Sequence, residues 1–127
     1  MRLLVDTHAF LWFTAGDAQL SRGARAAIED ADGEWCLSAA SVWEIAIKSG
    51  IGRLQLPAPA PDYFSERVRQ GLRIISIEWS HAALTEKLPP HHRDPFDRLI
   101  IAQAISERLA VVTKDTKFDD YGIRVVW

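Results

Sequence analysis

Four acidic residues of this 127-residue chain have the chemistry of a metal site: Asp6, Glu44, Asp97 and Asp115. Carboxylate oxygens without histidine or cysteine partners favour a hard ion, Mg²⁺ or Mn²⁺. A bound ion attracts phosphate, makes a bound water more acidic and stabilises charge at a phosphoryl transition state. If the fold brings these four side chains together, the sequence therefore predicts metal-assisted phosphoryl chemistry.

Two of the acids stand at the ends of predicted strands. Asp6 directly follows the apolar run 3–5, and Asp115 comes two residues after the apolar run 109–113. The carboxyl ends of parallel strands meet at one edge of a sheet, where α/β proteins bind their ligands. The alternative for each aspartate is a turn residue that helps a strand to leave the sheet.

Glu44 is the only charged residue in the run 39–47, and burying a carboxylate is costly unless it is paired, hydrogen-bonded or bound to a metal. One alternative is a capping box with Ser41, three residues earlier. A second is a helix-face ion pair with Lys48, four residues later. A helix that is capped at Ser38 would instead place Glu44 beyond the box and free it for another task.

Asp97 lies near the start of a helix that the sequence predicts over residues 95–108. Asp94 is a good N-cap, and the proline that follows it suits the first helical position. Asp97 continues the apolar stripe that runs on from Ile100, so we expect it on the inward face of the helix. The alternative is a first-turn charge that interacts with the helix dipole, which contributes about 0.3–1 kcal/mol.

Predicted strands and helices alternate along the chain. The strands are 3–5, 35–37, 74–77, 109–113 and 123–127, and the helices are 24–31, 42–46, 63–70, 81–87 and 95–108. This order predicts one α/β domain over residues 1–127, a three-layer α/β/α arrangement with a mostly parallel central sheet of about five strands. Each helix then starts at the edge where the preceding strand ends, so all four acids share one rim.

Composition narrows the possible classes of protein. Fifteen Lys and Arg against 17 Asp and Glu give a formal charge of −2, which argues against a protein that coats nucleic acid by bulk positive charge. The single cysteine, Cys36, cannot form an intrachain disulfide, and the early Asp6 interrupts any signal-peptide apolar region. No apolar run reaches the roughly 18–20 residues of a membrane span. We therefore expect a cytoplasmic protein with no membrane association.

Four short motifs resemble, in order, those of the PIN-domain ribonucleases, and most of all the VapC toxins of bacterial and archaeal toxin–antitoxin pairs. They are Val5-Asp6-Thr7-His8, Ser41-Val42-Trp43-Glu44-Ile45, Asp94-Pro95-Phe96-Asp97-Arg98-Leu99-Ile100-Ile101-Ala102 and Val112-Thr113-Lys114-Asp115. The resemblance implies RNA cleavage with Mg²⁺ or Mn²⁺ held by Asp6, Glu44, Asp97 and Asp115. Thr113 falls on a hydroxyl position that supports the acidic site in the family, and Ser41 is predicted to support it as well.

The resemblance also implies partners: an RNA substrate, a cognate antitoxin whose tail enters the active-site groove, and a second copy of the chain in a homodimer. Many relatives carry a further acid where this chain has Lys117, which leaves one or two metals open unless Asp119 or Asp120 supplies the oxygen. Trp12 and Phe13, near Asp6, are candidates for a protein-binding groove, with core packing as the alternative for each.

Four cations near the acids in sequence are predicted to contact RNA: Lys48, Arg93, Arg98 and Lys114. Surface solubility is the alternative for each of them. His91 and His92 lie in a proline-flanked loop, where such side chains are usually solvated, and they predict no zinc site. His8, just after the first aspartate, either contacts substrate or packs at a helix start.

Two other functions fit parts of this pattern. Acids at strand ends around Mg²⁺, with a lysine nearby, also describe a receiver-like phosphorylation switch, although strands 35–37 and 74–77 end without a phospho-acceptor aspartate. A non-catalytic PIN-like binding module would keep the fold without the chemistry. The intact set of four acids argues against such a module.

Overall fold

The fold is built on a five-stranded, all-parallel sheet with strand order β3-β2-β1-β4-β5. A computed structural model describes residues 2–31 and 34–127. The strands are β1 (Leu3–Val5), β2 (Trp35–Ser38), β3 (Ile74–Ile75), β4 (Ala110–Val112) and β5 (Val125–Val126). The predicted parallel sheet is confirmed. Its two edge strands are shorter than predicted because each pairs with a neighbour on one side only.

Six α-helices surround the sheet in the described residues. They are α1 (Thr7–Ala15), α2 (Arg22–Glu29), α3 (Ala39–Gly50), α4 (Ala60–Arg69), α5 (Trp79–Leu84) and α6 (Pro95–Glu107). Short 3₁₀ helices follow at Thr85–Lys87 and Thr116–Tyr121. No helix of the described residues is long and apolar enough to cross a membrane.

Alternate residues of the central strands face two separate apolar cores, as the two-residue period of a strand requires. Leu3 and Val5 pack with side chains of α1, α2, α3 and α4 on one face. Leu4 and Val111 pack with α6 on the other face, together with Phe118. Helices therefore cover both faces of the sheet, which confirms the predicted three-layer α/β/α arrangement.

Helix α1 is the element that the sequence pattern did not predict. Its nine residues, Thr7–Ala15, are apolar on nearly every side, so they show no helical period. Its ends are nevertheless well defined. Asp6 caps its start by accepting the amide hydrogen of Ala9, and Gly16 ends it in the left-handed conformation, with a φ of 65° that glycine adopts without strain.

A buried polar contact ties α6 to the ends of β2 and β3. The fully buried Gln103 accepts a hydrogen bond from the Ser38 hydroxyl and donates one to the Ser76 carbonyl oxygen. Ser38 is also the N-cap of α3, where its oxygen accepts from the amide of Ala40. Gln103 thus fixes the height of α6, which carries Asp97, relative to the strand that leads into α3.

We predict that Gln103→Leu, which keeps the bulk of the side chain, lowers the free energy of unfolding by about 1–3 kcal/mol. The reason is that the buried Ser38 hydroxyl loses its acceptor. Urea denaturation measures the change. The control is Gln70→Leu at an exposed position after α4, for which we expect a change within about 0.5 kcal/mol. Equal losses in the two variants would contradict the assignment.

Candidate metal centre

The first acid, Asp6, lies between β1 and α1. It is 8% exposed, and its Oδ1 accepts the amide hydrogen of Ala9 at 2.8 Å as the helix cap. Burial raises the pKa of the Asp6 carboxyl above its ordinary value, against an opposing hydrogen bond from the Thr113 hydroxyl. The nearby charge of Asp115 raises this pKa further. Asp6 is therefore an acid that the fold buries beside another acid.

Glu44 is buried in the second turn of α3 because the helix begins after Ser38. The capping box with Ser41 does not form, since Ser38 caps the helix instead. The expected ion pair does form, with Lys48 Nζ 2.8 Å from Glu44 Oε2. Thr7 Oγ1 lies 2.8 Å from the other carboxylate oxygen, Oε1. Both oxygens of Glu44 are thus engaged, and its carboxylate is held toward the sheet edge.

Thr7 and Ser41 form a pair of buried hydroxyls behind Glu44, with their oxygens 2.8 Å apart. A hydroxyl has one proton, and an ionised carboxylate only accepts. Thr7 therefore donates to Glu44, and Ser41 donates to Thr7. Ser41 is therefore linked to Glu44 through the Thr7 hydroxyl. Sequence reasoning missed Thr7 as a site residue, although it follows Asp6 directly.

Asp97 stands in the first turn of α6, where Asp94 Oδ1 accepts the amide hydrogens of Phe96 and Asp97. Burial raises the pKa of Asp97 to about 8, and four acidic side chains contribute to the rise. In order of effect these are Asp94, Asp6, Glu44 and Asp115. The carboxylates that the sequence predicted at one rim therefore act on one another through space.

Asp115 follows β4 in a turn that is fixed at both ends. Its amide hydrogen bonds to Thr113 Oγ1 at 3.0 Å, and its Oδ1 accepts the amide hydrogen of Lys117 at 2.9 Å. Thr113 thus touches two of the acids, because its hydroxyl also reaches Asp6. This geometry is what a supporting hydroxyl would have. Lys117, at the position where the sequence analysis expected a further acid in relatives, contributes only this backbone contact to Asp115.

His92 departs from the sequence expectation. It is 8% exposed rather than solvated, and its Nε2 lies 2.7 Å from Asp115 Oδ2 and 3.0 Å from Asp97 Oδ2. Ligand-type atoms of these three residues all lie within 4.8 Å of one another. The exposed neighbour, His91, follows the expectation. The sequence could not show this difference, because it depends on how the loop folds back over Asp115.

Arg98 also differs from its expected place on an RNA-binding rim. Its guanidinium donates to four backbone carbonyl oxygens of the loop before α6, those of Thr85, Leu88, Pro89 and His92, at 2.8–3.2 Å. Such a guanidinium shapes the loop that carries His92. The expectation of an RNA contact is therefore replaced by a structural role. Arg93, in the same loop, is exposed.

Two connected depressions give access to the acids. A smaller one of about 300 Å³ is lined by Asp6, His8, Trp12, Lys114 and Asp115. A longer groove of about 620 Å³ adjoins it, since His8 and Trp12 line both. Three cations face the groove: Lys48, Arg53 and Arg67. Sequence reasoning missed the two arginines because they lie far from the acids along the chain.

The aromatic pair near Asp6 divides between two roles. Trp12 lines both depressions and packs edge-on against Trp127, with ring centroids 6.0 Å apart. Phe13 packs against Trp35, with ring centroids 5.7 Å apart, and lines neither depression; both side chains are partly buried against the same apolar core. Of these two residues, which were both candidates for a protein-binding groove, only Trp12 lies at the groove.

A known protein family and a known protein each match most of this chain. The family model of the PIN domain matches residues 3–123. Ribonuclease VapC22 of Mycobacterium tuberculosis (strain ATCC 25618 / H37Rv) is 36% identical over 116 residues, which cover 91% of this chain and 88% of that protein.

Solved structures show the same fold. VapBC2 from Rickettsia felis, in a crystal with a DNA fragment from its promoter, superposes with a TM-score of 0.71 at 15% identity, covering 98% of this chain and 97% of that one. A toxin–antitoxin complex from Klebsiella pneumoniae gives a TM-score of 0.63 at 20% identity, with 91% and 88% covered.

We predict that Asp97→Asn stabilises the metal-free protein in a pH-dependent way. Because the pKa of Asp97 is raised from 3.8 to about 8, its favourable protonated state is lost as pH rises through that range, and the wild type loses stability. The variant keeps a neutral side chain. In urea denaturation with EDTA we expect it to exceed the wild type by about 1 kcal/mol or more at pH 8.5, and by less at pH 4.5.

The control is Asp62→Asn, because Asp62 is also a first-turn acid but lies exposed on α4. It should show no such growing difference between the two pH values. A constant difference for Asp97→Asn across this range would mean that the acids do not repel one another as described.

Proposed function

The chain belongs to the PIN-domain family of VapC-type ribonucleases, and on that premise we propose that it is a metal-dependent endoribonuclease, the toxin of a type II toxin–antitoxin pair. The observation that carries this proposal is the gathering of Asp6, Glu44, Asp97 and Asp115 at one sheet edge, where burial and the neighbouring acids raise the pKa of Asp97. Such a cluster is poorly suited to a structural role, since it costs stability. It is well suited to a divalent cation.

The donor set fits Mg²⁺ or Mn²⁺. Asp6, Asp97 and Asp115 offer carboxylate oxygens at one sheet edge, and Glu44 adds a fourth carboxylate whose oxygens are already oriented by Thr7 and Lys48. When bound, the cation would supply attraction for a phosphodiester, a more acidic water and charge stabilisation in the transition state. The charge repulsion within the cluster supports this assignment, because a cation would remove it.

The chain's own side chains would supply the proton transfer and the alignment. We assign the proton of the attacking water to Asp6 or Asp97, because both oxygens of Glu44 and both oxygens of Asp115 already hold hydrogen bonds. Glu44 then serves as a fixed charge. The reaction is hydrolysis of an RNA phosphodiester, with water adding to phosphorus and the ribose oxygen leaving.

The groove beside the acids provides a path for the RNA strand. Lys114 lines the acidic depression, and Lys48, Arg53 and Arg67 line the groove that continues from it. Such cations contact phosphates without reading the sequence. His8 and Trp12 lie between the two depressions, where a base can stack on an aromatic ring. This placement supports a single-stranded substrate.

We assign two protein partners to the chain. A cognate antitoxin would occupy the same groove, whose apolar wall includes Leu11, Leu54 and Tyr63. A second copy of the chain would cover the exposed face of α3, where Trp43, Ile47 and Ile51 follow one another at four-residue spacing and are 39–63% exposed. Contiguous exposed apolar side chains of this kind are typical of protein interfaces.

Cleavage of a fluorophore-labelled single-stranded RNA tests the enzyme assignment. We expect hydrolysis with Mg²⁺ or Mn²⁺ and none with EDTA. Asp6→Asn and Asp115→Asn should each lower the rate by at least about 100-fold, while Asp62→Asn keeps it. Full activity in EDTA, or in either active-site variant, would refute the proposal.

The same assay separates the two other functions. A non-catalytic binding module would bind the RNA without cutting it. A receiver-like switch would incorporate phosphate from acetyl-phosphate, which we do not expect here.

Light scattering after gel filtration tests the homodimer. We predict that the wild type elutes as a dimer and that Ile47→Glu combined with Ile51→Glu gives a monomer, because two charges would be buried in the interface. The control is Val68→Glu, an apolar position on α4 that is 50% exposed, and it should leave the dimer intact. A dimer that survives the double substitution would place the interface elsewhere.

A further inference from the structure

The proton of the His92 ring can be located from its contacts. Nδ1 accepts the backbone amide hydrogen of Asp94 at 3.2 Å, so this nitrogen uses its lone pair and carries no proton. In a neutral imidazole one nitrogen donates and the other accepts. The ring proton therefore sits on Nε2, the nitrogen that faces the two carboxylates.

Nε2 lies between Asp115 and Asp97, at 2.7 Å from one Oδ2 and 3.0 Å from the other. Its single N–H donates to Asp115 Oδ2, and Asp97 Oδ2 lies within ion-pair distance of the same nitrogen. The two acids come from separate elements, the turn after β4 and the first turn of α6. A protonated ring nitrogen has no free lone pair for a metal. At this site His92 is thus placed as a hydrogen-bond donor, although its distances alone would also suit a ligand.

The ring is held in this orientation by the loop around it. The Tyr121 hydroxyl accepts the amide hydrogen of His92 at 2.8 Å and donates to the Pro89 carbonyl oxygen at 2.7 Å. Arg98 donates to the carbonyl oxygens of the same two loop residues, at 3.0 and 3.2 Å. The Phe118 ring meets the imidazole edge-on at 5.9 Å. The Tyr121 and Arg98 contacts thus fix the backbone of the loop, while the Asp94 amide and the Phe118 ring hold the imidazole itself.

We propose that His92 is a positioning residue, which donates from Nε2 to Asp115, holds Asp97 beside the same nitrogen, and so sets the spacing of the two carboxylates for one divalent cation without itself binding the cation. This inference rests on the proposed metal-dependent function. Without the N–H between them, the two carboxylates would move apart, and a cation would have to draw them together again. Hydrogen bonds of this kind to ligating side chains strengthen metal binding.

Calorimetric titration with Mg²⁺ and Mn²⁺ tests the proposal directly. We expect His92→Ala to weaken binding by about 10–100-fold. His92→Gln keeps an N–H at a similar reach, and we expect it to recover most of the affinity, to within about tenfold of the wild type. The matched control is His91→Ala, at the exposed neighbouring histidine, which should bind like the wild type.

A second metal distinguishes a positioning residue from a ligand. Ni²⁺ prefers imidazole to carboxylate far more than Mg²⁺ does. If His92 were a ligand, His92→Ala would lower the affinity for Ni²⁺ much more than that for Mg²⁺, and Gln would restore neither. That result would overturn the proposal, as would unchanged or tighter Mg²⁺ binding by His92→Ala. A wild type that binds no divalent cation would instead count against the proposed function.

Nitrogen-15 NMR of the metal-free wild type tests the position of the His92 ring proton without any substitution. We expect the His92 ring signals of the tautomer with its proton on Nε2. A proton on Nδ1 would overturn the proposal, because Nε2 would then be free to act as a ligand. Circular dichroism melts of both His92 variants check that a change in metal affinity comes from a folded protein.

Discussion

Electrostatic repulsion among carboxylates at one sheet edge is the constraint on which the rest of this structure depends. It is clearest at Asp97, where burial together with the charges of Asp94, Asp6, Glu44 and Asp115 raises the pKa to about 8. The surrounding residues provide hydrogen-bond donors to these acids. The Thr113 hydroxyl donates to Asp6, Thr7 and Lys48 donate to Glu44, and the His92 ring lies between Asp97 and Asp115. These donors orient the acids without separating them, so a divalent cation is the partner that would offset their mutual repulsion.

The parallel topology explains why the acids meet at all. β1 and β4 are neighbours in the sheet, with Val5 opposite Val112, so the chain leaves both strands at the same height. Asp6 directly follows β1, and Asp115 follows β4, two residues after Thr113. The Thr113 hydroxyl accepts the amide hydrogen of Asp115 and donates to the Asp6 carboxyl. Helices α3 and α6 then begin at this edge, which brings in Glu44 and Asp97. A short sheet thus suffices to collect side chains that are far apart in sequence.

Sequence patterns predicted those features that depend on interactions between residues close together in the chain. The capping signal at Asp94 and the apolar stripe from Ile100 fixed α6 almost to the residue. Helix α1 was not predicted, because apolar residues occupy nearly all of its sides and so show no helical period. The roles of His92 and Arg98 were not predicted for a different reason. Their roles depend on carbonyl oxygens and carboxylates brought together by the folded loop, and the adjacent histidines, one buried and one exposed, look alike in the sequence.

The charge of −2 is compatible with an RNA substrate because the positive and negative groups are separated in space. Asp6 and Asp115 line the depression, where a bound cation would reverse the effect of the acids on phosphate. The groove that leads away from it carries Lys48, Arg53 and Arg67. Lys48 links the two regions, since its ammonium contacts Glu44 while its side chain lines the groove. A strand of RNA would therefore meet positive charge along its path and, with the cation in place, at its scissile phosphate.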